Sequence, residues 1–167
     1  MEAIVQPRLW SDFPPGRDEM FRALHSPKGE HMVLRENFFI ETILPKSVIR
    51  RLGDEEMTAY RAPFQTKEAR LPTLVWSREL PIAGEPKDVT SIVDAYGAWL
   101  AKSAIPKLFT SAEPGALGTA RASRVLQDIA QPGAKSRLRG IHYVQEDSLD
   151  GIGQALARFA QTVEESC

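Results

Sequence analysis

The sequence predicts an α/β protein carrying a layer of short helices, and three observations carry that prediction. After residue 85 the apolar pattern alternates helix, strand, helix, strand, helix, which is the rhythm of parallel βα units. Before residue 85 the chain is rich in aromatic residues and prolines, with helical spacing but no strand-like alternation. The first residues, MEAIV, form an apolar stub that stops at Pro7, like the end of a strand. Three segments follow: residues 1–5 as the end of a core strand, 6–85 as a helical domain, and 86–167 as part of an α/β core.

In the first part, Phe13, Phe21, Phe38, Phe39, Phe64, Trp10 and Trp76 lie among short helical pieces. Prolines 7, 14, 15, 27, 45, 63 and 72 are expected to separate those pieces, since each removes an amide donor and biases its predecessor away from helix. GRDEMFRALHS reads as a helix with Met20, Phe21 and Leu24 on one face, and GEHMVLREN and DEEMTAYRA read similarly. The rings have two readings, the core of a helical layer or the lining of a cavity for an apolar ligand.

In the second part, Asp88 is placed to cap the helix VTSIVDAYGAWLAKS, whose Val89, Ile92, Val93, Tyr96 and Leu100 form a helical stripe. IPKLFTSAEPG reads as a strand ending in a loop at Glu113-Pro114-Gly115. A helix with Ala122, Val125, Leu126 and Ile129 follows, then a strand at SRLRGIH, then a helix carrying Ile152, Leu156, Phe159, Ala160 and Val163. Parallel strands are normally buried on both faces of a larger sheet. With only two of them, the sequence reads as the back half of a larger domain.

Composition narrows the function. Lys and Arg number 21 against 22 Asp and Glu, so no net positive field exists to hold phosphates, and nucleic acid is not an expected partner. The basic run AKSRLRG at 134–140 reads as a surface edge. The sole cysteine, Cys167, allows neither a disulfide framework nor a multi-cysteine metal site within the chain. No apolar run approaches the ~20 residues of a spanning helix, and MEAIVQPRLW lacks the basic start and apolar middle of a signal peptide. A membrane is therefore not an expected partner, and the expected location is cytoplasmic, with a periplasmic one left open.

One stretch points to chemistry. In GIHYVQEDSLDGIG, residues 140–153, His142 sits just past a predicted strand end, where open α/β sheets build their sites. A histidine there can serve as a general base near neutral pH, or simply cap the following turn. His25 and His31 are six apart, a spacing that does not make a metal pair on one helix face, and they read as surface residues. A histidine base needs an orienting carboxylate and a nucleophile. Glu2, Glu113, Glu146 and Asp147 are the candidate orienters, the last two reading better as acids at the start of the final helix. No G-x-S-x-G elbow, no counterpart with Asp or Cys at its centre, no Walker loop and no G-x-G-x-x-G is present in the 167 residues.

The blocks NFFIETILPKSVIRRL, EMTAYRAPF, LPIAGEPKDV, PKLFTSAEPGAL and GIHYVQED resemble the second half of a haloalkane dehalogenase, most of all the subgroup acting on hexachlorocyclohexane breakdown products. The resemblance runs over essentially the whole chain. It implies a partial α/β-hydrolase fold: a helical cap domain plus the last two parallel strands and their helices, with the N-terminal part of the sheet missing. It implies a hydrolase that cleaves carbon–halogen bonds of small halogenated apolar substrates to alcohol and halide, with no cofactor and no metal. In that chemistry an aspartate displaces halide to form an ester, and a histidine activates water to hydrolyse it.

Matched by motif, His142 corresponds to the base and Glu2 to the acid that orients it. Phe13, Phe21, Phe39, Trp76 and Leu80 correspond to cap positions around the pocket, and Ala116 and Leu117 to pocket positions near the histidine. Ser47, where relatives often have a larger residue, would widen an entrance. The family's nucleophile, its adjacent halide-holding tryptophan and its halide-binding asparagine would all precede Met1. The chain alone is therefore expected to be inactive: a misplaced start, a partial sequence or a remnant. It is also expected to dissolve poorly, or to associate with itself or with the missing half through exposed apolar surface. Two other readings stand beside this one. The first is another hydrolase on the same scaffold, such as an epoxide hydrolase or a coelenterazine-type luciferase. The second is a non-enzymatic remnant that binds an apolar ligand.

Overall fold

A computed structural model describes residues 4–116, 129 and 135–165. These fall into two compact units: Pro7–Ile92, and residues 4–6 together with the described residues from 93 onward.

Pro7–Ile92 is helical. Its elements are α1 (Arg17–Leu24), α2 (Pro27–Glu30), a π-helical turn His31–Arg35, a second at Phe39–Ile43, α3 (Leu44–Lys46), α4 (Asp54–Arg61) and α5 (Lys67–Arg78). The core is aliphatic and aromatic together: Phe13, Phe21, Leu24, Val33, Ile40 and Leu74 are buried. The prolines do not all separate helices as expected. Pro27 opens α2, where the missing amide costs nothing because the first helical donors have no partner anyway. Pro45 instead lies in a helical run that continues unbroken from Phe39–Ile43 into α3, the Leu44 amide donating to the Phe39 carbonyl. Pro72 lies inside α5, which runs through it.

Side-chain capping explains how α5 is held. The Thr66 hydroxyl accepts the Ala69 amide at 3.2 Å at its start. At its end, Arg78 donates to the carbonyl of Leu24, the last residue of α1, and to that of Ser26, both at 3.0 Å. Arg70 likewise donates to the Phe64 carbonyl at 2.8 Å and the Leu34 carbonyl at 3.0 Å. Gly29 is required by close approach, since a Cβ there would overlap the Leu24 carbonyl oxygen.

Helix α6 (Lys87–Lys102) follows. Asp88 lies within its first turn, where a carboxylate favours the helix dipole, rather than at the capping position. Of the predicted stripe, Val93 is buried and Val89, Tyr96 and Leu100 are half-buried, but Ile92 is 62% exposed. Gly97 completes the buried face: the Val5 carbonyl oxygen would lie 2.5 Å from a Cβ there, so segment 4–5 runs directly over the helix. The Tyr96 hydroxyl donates to the Ile4 carbonyl beside it.

Strands β1 (Phe109–Pro114) and β2 (Lys135–Gly140) pair in parallel, with Phe109 opposite Lys135 and Pro114 opposite Gly140. Strand β1 thus continues through Glu113-Pro114, for which the sequence predicts a loop, and the turn begins at Gly115. The helix expected around Ala122, Val125 and Leu126 lies outside the described residues, although Ile129 is helical. Helices α7 (Val144–Asp147) and α8 (Leu149–Glu164) end the described chain. Leu138 is buried where α8 crosses β2, and Gly151 makes the crossing close: a Cβ there would sit 2.9 Å from Leu138 Cδ2. No helix among the described residues is long and apolar enough to cross a membrane.

Candidate functional site

The centre of the candidate site is the turn after β2. Gly140 ends the strand, and its carbonyl accepts the Gly115 amide at 3.0 Å, fastening the two strand ends together. A side chain at Gly140 would press on Val144, its Cβ lying 3.2 Å from Cγ1, so glycine lets the chain turn tightly into α7. His142 stands in that turn, half-buried, its ring edge-on to Tyr143 with centroids 5.1 Å apart. Burial pushes the Tyr143 phenol above its ordinary range.

The turn is closed from behind. The Ser148 amide donates to the Val144 carbonyl at 2.8 Å, and its hydroxyl reaches back to the Arg139 carbonyl at 2.6 Å. Ser148 precedes α8 at the capping position but directs its hydroxyl to β2 instead of to the helix. Its role is not evident from the sequence, although a serine directly before an apolar-periodic helix is a capping signal.

The candidate orienters separate. Glu113, at the end of β1, pairs with Arg137 on β2 at 3.2 Å, and both side chains are well exposed. Glu146 and Asp147 belong to α7, the short turn carrying the loop away from His142, and not to the final helix where they are expected. Glu2 lies outside the described residues, as does Leu117. Ala116 is buried one residue past the Gly115–Gly140 fastening, so it shares the strand-end edge with the His142 turn.

The aromatic candidates divide in the same way. Phe13 and Phe21 are both buried and tilted against each other with centroids 4.8 Å apart. Trp10 joins them 6.1 Å from Phe13, and the Arg22 guanidinium covers its ring at 4.1 Å. Phe39 is half-buried on its π-helical turn, edge-on to Phe38 at 6.4 Å. Leu80 is half-buried, whereas Trp76 on α5 is 75% exposed. Ser47 is buried after α3, its amide donating to the Leu44 carbonyl at 3.0 Å.

Asn37 carries no signal in the sequence. It is buried with φ 52°, and its carbonyl accepts the amides of Ile40 and Glu41, starting the turn that carries Phe39. His25 and His31 are exposed, as expected. His25 Nε2 lies 2.9 Å from the Ser77 carbonyl, and His31 pairs with Glu36 at 3.2 Å. Among the described residues no group of three or more His, Cys, Asp or Glu side chains could hold a metal ion.

No protein-family profile matches the chain. Individual proteins do. It is 46% identical over 165 residues to a haloalkane dehalogenase of Sphingobium indicum, covering 96% of this chain and 54% of the relative. It is 45% identical to one of Mycolicibacterium smegmatis, covering 98% of this chain and 53% of the relative. The solved structure of a haloalkane dehalogenase from Bradyrhizobium elkani superposes with a TM-score of 0.89 at 43% identity, covering 97% of this chain and 57% of that one. A putative ancestral haloalkane dehalogenase gives the same score and identity over 96% of this chain. The chain thus spans about half the length of the curated relatives it matches. It is homologous to their C-terminal portion, and its fold is a partial α/β-hydrolase fold.

Proposed function

We propose that these residues are the cap and C-terminal portion of a haloalkane dehalogenase-like hydrolase, in which His142 activates the hydrolytic water. The observation that carries this reading is the place of His142: two residues past β2, in a turn fastened at Gly140 and Arg139, within a chain of such high identity to dehalogenases. A base on a rigid strand-end turn keeps its geometry from one catalytic cycle to the next.

The proposed chemistry has two steps. A carboxylate from the enzyme's N-terminal portion attacks the halogen-bearing carbon; the new C–O bond forms as the C–halogen bond breaks with its electron pair, leaving an alkyl ester and halide. His142 then takes a proton from water, and the hydroxide adds to the ester carbonyl. The adduct collapses by expelling the alcohol and regenerating the carboxylate, and His142 releases to solvent the proton it took from water. Glu2 holds the far nitrogen of the imidazole and stabilises its charged form. By the family's pattern, Phe13, Phe21, Phe39, Trp76 and Leu80 are the cap residues, and Ala116 and Leu117 the residues beside the base, whose apolar character suits a small halogenated substrate. The 167 residues contain no nucleophile elbow, so on their own they release no halide.

The test is a chimera. The N-terminal half of the Sphingobium indicum relative is joined ahead of this chain, its folding is checked by circular dichroism, and it is given a bromoalkane. Bromide and alcohol appearing in equal amounts are the expected result. A folded chimera that releases neither contradicts the proposal, as does halide release by the 167 residues alone.

A further inference from the structure

We propose that the helical unit Pro7–Ile92 carries a binding site for a small organic anion with an apolar tail, such as a medium-chain carboxylate. The site is a pocket of about 410 Å³ between α3 and α4, within the range of small-molecule sites. Its apolar wall is made by the buried Val48, Leu52 and Met57, with Pro45 and Ile49 beside them. Three guanidiniums, Arg50, Arg51 and Arg61, and one carboxylate, Glu41, supply its polar side.

These charges are not equivalent. Arg61 grips Glu41 through two hydrogen bonds of 2.8 Å, and Arg50 grips Glu56 through bonds of 2.7 and 3.0 Å. Both carboxylates are held ionised, first of all by these pairings. Each paired arginine is thereby fixed in place and neutralised. Arg51 lines the same pocket, exposed, with no hydrogen bond or ion pair among the described residues. One uncompensated guanidinium at the edge of an apolar wall selects an anion at one end and hydrocarbon at the other. A neutral alcohol would forgo the charge, and an ammonium would be repelled. This site is built from residues of Pro7–Ile92 alone and does not rest on the hydrolase reading.

The probe is octanoate, titrated into the full 167-residue chain and, in parallel, into the chimera, so that solubility of either protein suffices. Binding is followed by the carbon-13 methyl signal of Met57, assigned with Met57→Leu. Octanoate is expected to move that signal, and 1-octanol and octylammonium to bind more weakly. Arg51→Gln, an exposed substitution, is expected to weaken octanoate about tenfold, the loss of one charge-assisted contact. Three results would each overturn the proposal: no Met57 shift up to about 10 mM octanoate, a strength near the weak limit of specific binding; unchanged affinity in Arg51→Gln; or octanol binding as tightly as octanoate.

Discussion

The Ser148 hydroxyl donates to the Arg139 carbonyl at 2.6 Å, joining the start of α8 to the end of β2 across the loop that carries His142. The bond spans nine residues and leaves the histidine at the crest of a closed turn. Removing it with Ser148→Ala leaves the carbonyl to water and should cost about 1 kcal/mol, the typical net value of one such bond. The loss should be local. Amide hydrogen exchange is expected to quicken between residues 140 and 148 while the helices of Pro7–Ile92 keep their protection. Uniform acceleration through the chain would show that the bond supports the global fold and not the turn.

Gly97 faces the Val5 carbonyl so closely that an alanine methyl would lie 2.5 Å from its oxygen. Backbone cannot retreat as a flexible side chain can. Gly97→Ala is therefore expected to displace segment 4–5 from α6 and break the Tyr96–Ile4 hydrogen bond, at a cost of about 1–3 kcal/mol typical of overpacking. Thermal unfolding would measure the loss. Tyr96→Phe, which removes the same hydrogen bond without the clash, should cost about 1 kcal/mol or less. If Gly97→Ala melts like the parent, the approach of residues 4–5 to α6 is wrong.

Glu56 is the strongest pH lever among the described groups. Its bonds to Arg50, then the Gly53 amide, bring its carboxyl from 4.5 down to about 2. A carboxyl whose folded value is depressed contributes stability that is complete above its unfolded value and lost as pH falls through the folded one. The contribution of Glu56 should thus be intact above about pH 5 and fade towards pH 2, and salt should weaken it because the pair is exposed. Carbon-13 titration of the Glu56 carboxyl is expected to give a midpoint well below 4.5, rising in Arg50→Gln. A midpoint near the ordinary carboxylate range in the parent would remove the pair from the account.

Legibility in the sequence follows the physics of each element. The stripe of α6 is readable because apolar residues recur on one face over four turns, and the parallel pairing of β1 and β2 because strand-like and helical runs alternate in the sequence pattern. Prolines mislead where a helix runs through them: Pro45 lies in the run that continues from Phe39–Ile43 into α3, and Pro72 is tolerated within α5, whose two ends are held by Thr66 and Arg78. The π-helical turns at His31–Arg35 and Phe39–Ile43 leave no periodic signal in such short segments, so the role of Asn37 stays hidden. His142 stands out because a strand end followed by a turn is a position with chemical meaning. The contacts that hold the turn are not readable, because Ser148 reaches a carbonyl nine residues away and not its own helix. The pocket at Arg51 depends on which arginines find carboxylates, and partners such as Glu41 and Arg61, twenty residues apart, are set by folding alone.

The most direct test of the hydrolytic role is His142→Gln in the chimera, exposed to a bromoalkane and followed by intact-protein mass spectrometry. If His142 activates water, the first step survives and the second stops. One equivalent of bromide is released, turnover ceases, and the protein gains the mass of the alkyl group as a trapped ester. Continued turnover at the parent rate with no alkyl adduct would contradict the account, placing the base elsewhere in the molecule.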